Sequence, residues 1–320
     1  MAHPGTLHRY NHPLVAFEHS PPQSSTTSPS TSPTHTLLWL GGLSDGLLTV
    51  QYPAAIARSL PPSWRLAEVL ISSSYEGWAT GSLKRDAQEL AACVKYFQSL
   101  RGKAGGKIVA MGHSTGCQDI MELCVGTGKG EVALDGAILQ GGVSDREAFA
   151  DMAAKQGLKA EFDAVVQKAR ELVDEGRGGE IMRKAGNAMG DMLDSPMTAY
   201  RTLSLLSKGG DDDYFSSDLE DAALQASFGA FPKETPLAFL LGELDPYVPA
   251  EVGKEELLGR WTRFVRSGGG VVDDVHGGVV KGAHHNLDGD PEEVVQELVR
   301  RVLGFLEGVE SGNVPGVSRL

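Results

Sequence analysis

The pentapeptide Gly112-His113-Ser114-Thr115-Gly116 sets a hydroxyl between two glycines at the spacing G-x-S-x-G. It directly follows the apolar run KIVAM (107–111) and opens the helical pattern TGCQDIMELC (115–124). Strand, sharp turn and helix in that order make a nucleophile elbow, in which the turn strains the serine backbone and projects its hydroxyl at the end of a sheet. Small residues two positions away on each side let the turn close. A phosphate-binding loop is the rival for a glycine-rich turn before a helix, but the Gly-Lys-Ser/Thr ending that grips phosphate is missing. The chemistry expected is acyl transfer, with Ser114 as nucleophile.

A serine hydroxyl is a weak nucleophile until a base takes its proton, and the base needs a carboxylate to orient it. When the serine sits on such an elbow, the partners follow in the order acid, then histidine. His3, His8, His12, His19 and His35 precede Ser114, and His113 is the variable position of the elbow. His276, His284 and His285 remain. His276 reads as a loop or strand residue, whereas KGAHHNL (281–287) falls between the last strand and the last helix, where the base belongs. His285 is favoured because hydrolases often carry Gly-Ala-x-His there. His284 is the alternate, otherwise a residue of the pocket wall. The acid should follow the strand PLAFLLG (236–242), where Glu243 and Asp245 are both available. Asp245 is preferred, since D-x-x-V-P after such a strand is a common hydrolase arrangement, and Glu243 is the alternate. Two backbone N–H groups must hold the tetrahedral oxyanion. Thr115, next after the nucleophile, supplies one. The loop GGLSDG (41–46) supplies the other, through Leu43 or alternatively Gly42.

Elements that can position these residues are legible in the periodicity. Short apolar runs at TLLWLG (36–41), LAEVLI (66–71), KIVAMG (107–112), LDGAILQG (134–141) and PLAFLLG (236–242) read as buried strands, with a last strand somewhere in 270–281. Residues 7–18 read as a strand or hairpin. Helices are expected over 82–100, from Thr115 to about Val125, over 250–264, and from Asp290-Pro291-Glu292-Glu293 onward, with Asp290 as the N-cap. Alternation of strand and helix implies an α/β fold, a mostly parallel doubly wound sheet. The rhythm breaks between 144 and 228, a charged, helix-rich stretch read as an inserted helical cap. The core is then 1–143 with 229–320, interrupted by a Ser/Thr/Pro-dense tract at 20–34 that reads as a flexible loop.

A formal net charge of −13 argues against binding a nucleic-acid backbone and mildly favours neutral or cationic ligands. No run approaches the roughly 18 apolar residues that span a membrane, and the N-terminus has no apolar core of a secretory signal. Cys93, Cys117 and Cys124 form no C-x-x-C pair and offer no zinc site, so reduced thiols in a cytoplasmic protein are expected, and no metal or other cofactor. The terminal Ser318-Arg319-Leu320 is a variant of the peroxisomal address and the lesser alternative for location. The sequence does not speak to oligomeric state.

The segments LLWLGGLSDGLLT (37–49), SSSYEGWATGSLKRDAQEL (72–90), MGHSTGCQD (111–119), DDDYFSSDL (211–219) and GAHHNL (282–287) together resemble a family of fungal α/β-hydrolases first catalogued as a domain of unknown function. That family is typified by an intracellular fusarinine C esterase, a siderophore hydrolase. The resemblance implies hydrolysis of the esters that link hydroxyornithine-derived units in fusarinine-type siderophores, so that iron is released inside the cell. The substrate would be a small-molecule ester, an iron-loaded siderophore. The triad chemistry by itself equally serves a carboxylesterase, lipase or thioesterase on another bulky acyl compound. A non-catalytic binding protein on the same scaffold is disfavoured by the complete triad. Asp211, Asp212, Asp213 and Asp218 surround Tyr214 and Phe215. They read either as a solvated acidic loop or as a surface that attracts an amine-bearing substrate. Tyr75 and Trp78, after the strand LAEVLI, either line a binding cleft or pack beneath the loop.

Overall fold

The apolar runs become the buried centre of an eight-stranded sheet in a computed structural model that describes residues 2–21, 35–101, 106–127, 132–182 and 195–316. Most of the Ser/Thr/Pro tract, from residue 22, and Ser318-Arg319-Leu320 lie outside the described residues. The strands are β1 (Gly5–Asn11), β2 (Leu14–His19), β3 (His35–Leu40), β4 (Trp64–Val69), β5 (Ile108–His113), β6 (Gly136–Gln140), β7 (Leu237–Gly242) and β8 (Gly278–Val280). Their order across the sheet is β1-β2-β4-β3-β5-β6-β7-β8. The expected strand or hairpin at 7–18 is an antiparallel hairpin, β1 with β2, and β2 continues antiparallel onto β4. From β4 to β8 every pairing is parallel.

Strands β3, β5, β6 and β7 are buried at every position, as parallel strands covered on both faces must be. Successive side chains alternate between two cores. Leu38, Leu40 and Ala110 join one core with Leu90, Val94 and Phe97 of α2 (Leu83–Arg101) and Ile120 of α3 (Gly116–Val125). Trp261 of α8 (Lys254–Ser267) belongs to the same core. Leu37, Trp39, Val109 and Met111 join the other with Tyr52 and Ile56 of α1 (Tyr52–Ser59) and Val302 and Phe305 of α9 (Glu292–Ser311). Helix α1 had no sequence expectation. Its eight residues, with Pro53 in the first turn, are too short to show a helical period. Helix α9 starts at Glu292 with Pro291 as N-cap, not Asp290. The Asp290 carboxylate is turned away to the His284 backbone N–H at 2.8 Å and to the His284 ring.

Between β6 and β7 the chain forms α4 (Asp145–Lys155), α5 (Lys159–Asp174), α6 (Ala199–Leu206) and α7 (Asp221–Ala226). Helices α4 to α6 pack around Phe162, Met197 and Leu206, with Trp78 reaching in from the core. The buried Arg201 of α6 ties this packing together: its Nη1 lies 2.6 Å from Asp212 Oδ2 and its Nε donates to the Trp78 carbonyl at 3.0 Å. Among the described residues no helix is long and apolar enough to cross a membrane.

Sheet register sets the functional end. Leu40 pairs with Gly112, His113 with Gln140, Gln140 with Leu240, and Gly242 with Val280. The carboxyl ends of β3, β5, β6, β7 and β8 therefore lie in one row. Connections diverge to opposite sides between β3 and β5, the crevice where open parallel sheets bind ligands.

Candidate active site

Ser114 leaves β5 with φ of 53°, a left-handed conformation that a non-glycine residue holds only under strain. The flanking glycines are required by contact. A Cβ on Gly112 would come within 2.4 Å of the Gly116 carbonyl oxygen, and one on Gly116 within 2.4 Å of the Leu40 oxygen. The Ser114 N–H donates to the Gln140 carbonyl at 3.0 Å, pinning the elbow to β6. Helix α3 begins directly behind it, so its N-terminal dipole faces the hydroxyl.

Asp245 and His285 arrive from the ends of β7 and β8. The turn 242–245 and the loop 280–285 are laced by the Leu244 N–H to the Ala283 oxygen at 2.9 Å and the Gly282 N–H to Glu243 Oε2 at 2.8 Å. Glycine is needed at 242, where a Cβ would lie 2.5 Å from the Ala283 oxygen. The result brings His285 Nδ1 to 2.7 Å from Asp245 Oδ2, while Asp245 Oδ1 accepts the Tyr247 N–H at 3.0 Å. Asp245 is 3% exposed and His285 9%. His284 sits beside them but is paired elsewhere, its Nδ1 2.5 Å from Asp290 Oδ1 and its side chain 53% exposed.

Ser114, His285, His284 and Leu43 line one cavity of about 470 Å³. Val143 and, from α4, Ala148, Phe149 and Met152 form an apolar wall, and Tyr247 stands edge-on to the His285 ring at 4.7 Å. Asp45 and Asp145 are carboxyl groups in its lining, and among the described residues no lysine or arginine lines it. An oriented imidazole sharing a cavity with a strained serine is an arrangement able to carry out acyl transfer. A second depression of about 560 Å³, between α8 and β8, holds none of the sequence-predicted residues. Among the described residues no three His, Cys, Asp or Glu side chains gather as a metal-binding group.

The loop after β3 lies directly against the elbow. A Cβ on Gly42 would sit 2.5 Å from Ser114 Cβ. The Gly42 N–H is already given to Asp45 Oδ2 at 2.8 Å. The Leu43 and Thr115 N–H groups have no protein acceptor among the described residues.

The residues expected to bind substrate lie elsewhere. Trp78 is buried and donates its Nε1–H to Ser44 Oγ at 3.1 Å, so it packs beneath the loop. Tyr75 is half exposed over Gly46, its hydroxyl accepting the Leu47 N–H at 3.1 Å. Neither reaches the cavity. The acidic stretch is also not a free anionic surface: Asp212 is buried against Arg201, Asp213 and Asp218 face Arg146, and Lys208 reaches Asp218 at 3.1 Å. The Tyr214 hydroxyl donates inward to Glu122 Oε2 at 2.8 Å. Arg146 lies on α4 and Arg201 on α6, a pairing that local sequence cannot display.

Three polar groups had no role assigned from the sequence: Gln140 and His113 at strand ends and Asp145 at the start of α4. Gln140 ends the apolar strand GAILQ, a polar residue at a buried position, which is itself the signal. His113 stacks on Trp39 and is driven down to about 3 by burial and then by the neighbouring His285, so its ring is neutral. Burial pushes the Asp145 carboxyl up to about 8, Asp212 adding to the rise and Arg201 opposing it. A carboxyl raised in the folded state binds more protons than its unfolded counterpart between about pH 4 and its folded value, so its contribution to stability falls as pH rises through that window. The Asp145→Asn variant keeps the Gln118 Nε2 donor, now 2.7 Å from Asp145 Oδ2, supplied with an acceptor. It is therefore expected to gain thermal stability over the wild type progressively from about pH 4 to pH 8. A pH-independent difference in melting temperature would contradict this.

Residues 1–307 match the family described as Protein of unknown function (DUF1749). The chain belongs to this family. It is 33% identical to Fusarinine C esterase sidJ of Aspergillus fumigatus over 96% of both chains. It is 36% identical to Esterase AN6793 of Emericella nidulans, over 96% of this chain and 93% of that one. Among solved structures, the siderophore hydrolase EstB from Aspergillus fumigatus superposes with a TM-score of 0.81 at 34% identity, covering 96% of this chain and 98% of that one. The fold is that of the α/β-hydrolases, as the resemblance implies: a solved protein of the α/β-hydrolase fold superposes with a TM-score of 0.59 at 18% identity, covering 98% of both chains.

Proposed function

We propose that this protein is a serine esterase that cleaves the ester bonds of a fusarinine-type, iron-loaded siderophore inside the cell. The observation that carries the reading is the buried His285–Asp245 pair at 2.7 Å, sharing one cavity with a serine at φ of 53°. Similarity to relatives named as a fusarinine C esterase and a siderophore hydrolase supports the substrate class.

In this reading Ser114 Oγ attacks the ester carbonyl while His285 Nε2 takes its proton and Asp245 holds Nδ1–H. The N–H groups of Leu43 and Thr115 stabilise the oxyanion. The carbon–oxygen bond to the alcohol breaks as His285 returns the proton to the leaving oxygen. Water, deprotonated by His285, then attacks the acyl-enzyme and frees Ser114. The segment 144–228 serves as a cap, because α4 supplies Asp145, Ala148, Phe149 and Met152 to the cavity wall. The cytoplasm is the site of action.

Incubation with an iron-loaded siderophore trilactone, followed by mass spectrometry, is expected to yield linear and then monomeric hydroxy acids, each cleavage adding one water. Turnover of short aryl esters with the trilactone left intact would replace the siderophore by another bulky acyl substrate. No turnover of either, together with no covalent labelling by a fluorophosphonate, would remove the esterase reading.

A further inference from the structure

Gln140 is 2% exposed, and four of its hydrogen bonds converge from separate parts of the site. Its carbonyl accepts the Ser114 N–H at 3.0 Å. Its side-chain Nε2 donates to the carbonyl of His285 at 2.9 Å. Its Oε1 accepts the Tyr52 hydroxyl at 2.8 Å and lies 2.6 Å from His113 Nδ1. The orientation of the amide follows from its partners. The His285 carbonyl can only accept, so Nε2 must face it. The Tyr52 oxygen already accepts the Trp39 Nε1–H at 2.9 Å, which leaves its own proton to be given to Oε1. With the neutral His113 donating from Nδ1, every one of these buried groups is satisfied. A satisfied buried network of this kind fixes geometry.

The geometry points to Gln140 as the residue that positions His285 over Ser114. This rests on the esterase reading. Asp245 holds the imidazole at Nδ1 and the bonds at Gly282 and Ala283 hold the loop before it, but none of these contacts the backbone of His285 itself. The Gln140 amide holds that backbone, and the same residue's carbonyl holds the nucleophile's. The spacing between serine and base is thereby referred to a single buried strand end, itself anchored through Tyr52 to Trp39 of β3. The His113 ring, 4.8 Å from the His285 ring between centroids, fills the space alongside. A reacting pair displaced by about 1 Å loses on the order of a hundredfold in rate.

The test is steady-state kinetics on an ester that the wild type turns over, with fluorophosphonate labelling rates and melting temperatures for each variant. Gln140→Met keeps the volume and removes the side-chain hydrogen bonds, leaving the carbonyl that accepts the Ser114 N–H. It is expected to lower kcat about 10- to 100-fold with KM within about twofold, and to slow labelling by a similar factor. Tyr52→Phe removes one link and is expected to cost about three- to tenfold in kcat. The double variant should be no slower than Gln140→Met alone, because both act through one amide. A folded Gln140→Met enzyme with wild-type kcat, a rise in KM alone, or fully additive losses would overturn the proposal. If Gln140→Met fails to fold, Tyr52→Phe decides, and an unchanged kcat overturns it. An inactive, unlabelled wild type would instead defeat the esterase reading itself.

Discussion

Ser114→Ala is expected to lower kcat about a millionfold while leaving the fold and the binding of substrate nearly intact. Removing the hydroxyl takes away the only atom that forms the acyl bond, so no intermediate can accumulate. The rate that survives would come from water attacking a carbonyl held in the oxyanion site, roughly a thousandfold above solution. Alanine keeps the Cβ that touches the Gly42 region, and its N–H still reaches the Gln140 carbonyl. The strain at φ of 53° is much the same for both side chains, so the melting temperature should move little. Iron-loaded trilactone should still bind, measurable by calorimetry with the inactive variant. A loss of only about tenfold, with intact fold, would move the nucleophile away from Ser114.

The elbow was legible because it is local: strand, turn and helix occupy adjacent residues, and the two glycines are demanded by contacts within the turn. The buried strands were legible because a parallel sheet covered on both faces leaves no polar alternation to interrupt the apolar runs. Strand β8 could be placed only within 270–281, since its three residues are too few to carry a period. The wall of the cavity was legible in part, through Leu43 and His284, but its apolar side was not. Phe149 and Met152 project into it from α4, and their spacing marks only one face of a helix, not what that face meets. The charges at 211–218 misled for a related reason. The partners of Asp212, Asp213 and Asp218 include Arg146 and Arg201 on two other helices, so much of an apparent acidic surface is engaged in ion pairs. Gln140 stands out as a polar end to an apolar run, but its partners, like those of Asp145, come from several distant segments.

The two neighbouring acids and the two neighbouring histidines can be told apart by a second, nearly isosteric set of changes. Asp245→Asn is expected to lower kcat about ten-thousandfold with little change in KM or stability. The reason is tautomeric. An asparagine whose amide nitrogen faced the ring could no longer accept a hydrogen bond from Nδ1, which favours the form protonated at Nε2. That nitrogen would then point a proton at Ser114 instead of a lone pair. Glu243 makes no such contact: its Oε2 accepts the Gly282 N–H at 2.8 Å, which a glutamine oxygen can do as well. Glu243→Gln should therefore stay within about threefold of the wild type, the range expected for a hydrogen bond that is replaced and not lost. The histidines should divide in the same way. His285→Ala removes the group 2.7 Å from Asp245, whereas His284→Ala removes a half-exposed ring already held by Asp290. Loss of activity in Glu243→Gln and His284→Ala, with Asp245→Asn and His285→Ala active, would transfer the roles of acid and base to the alternate pair. That outcome would require the loop after β8 to rotate away from its contacts with the β7 turn. The Leu244 N–H to Ala283 bond at 2.9 Å and the close backbone approach at Gly242 oppose such a rotation.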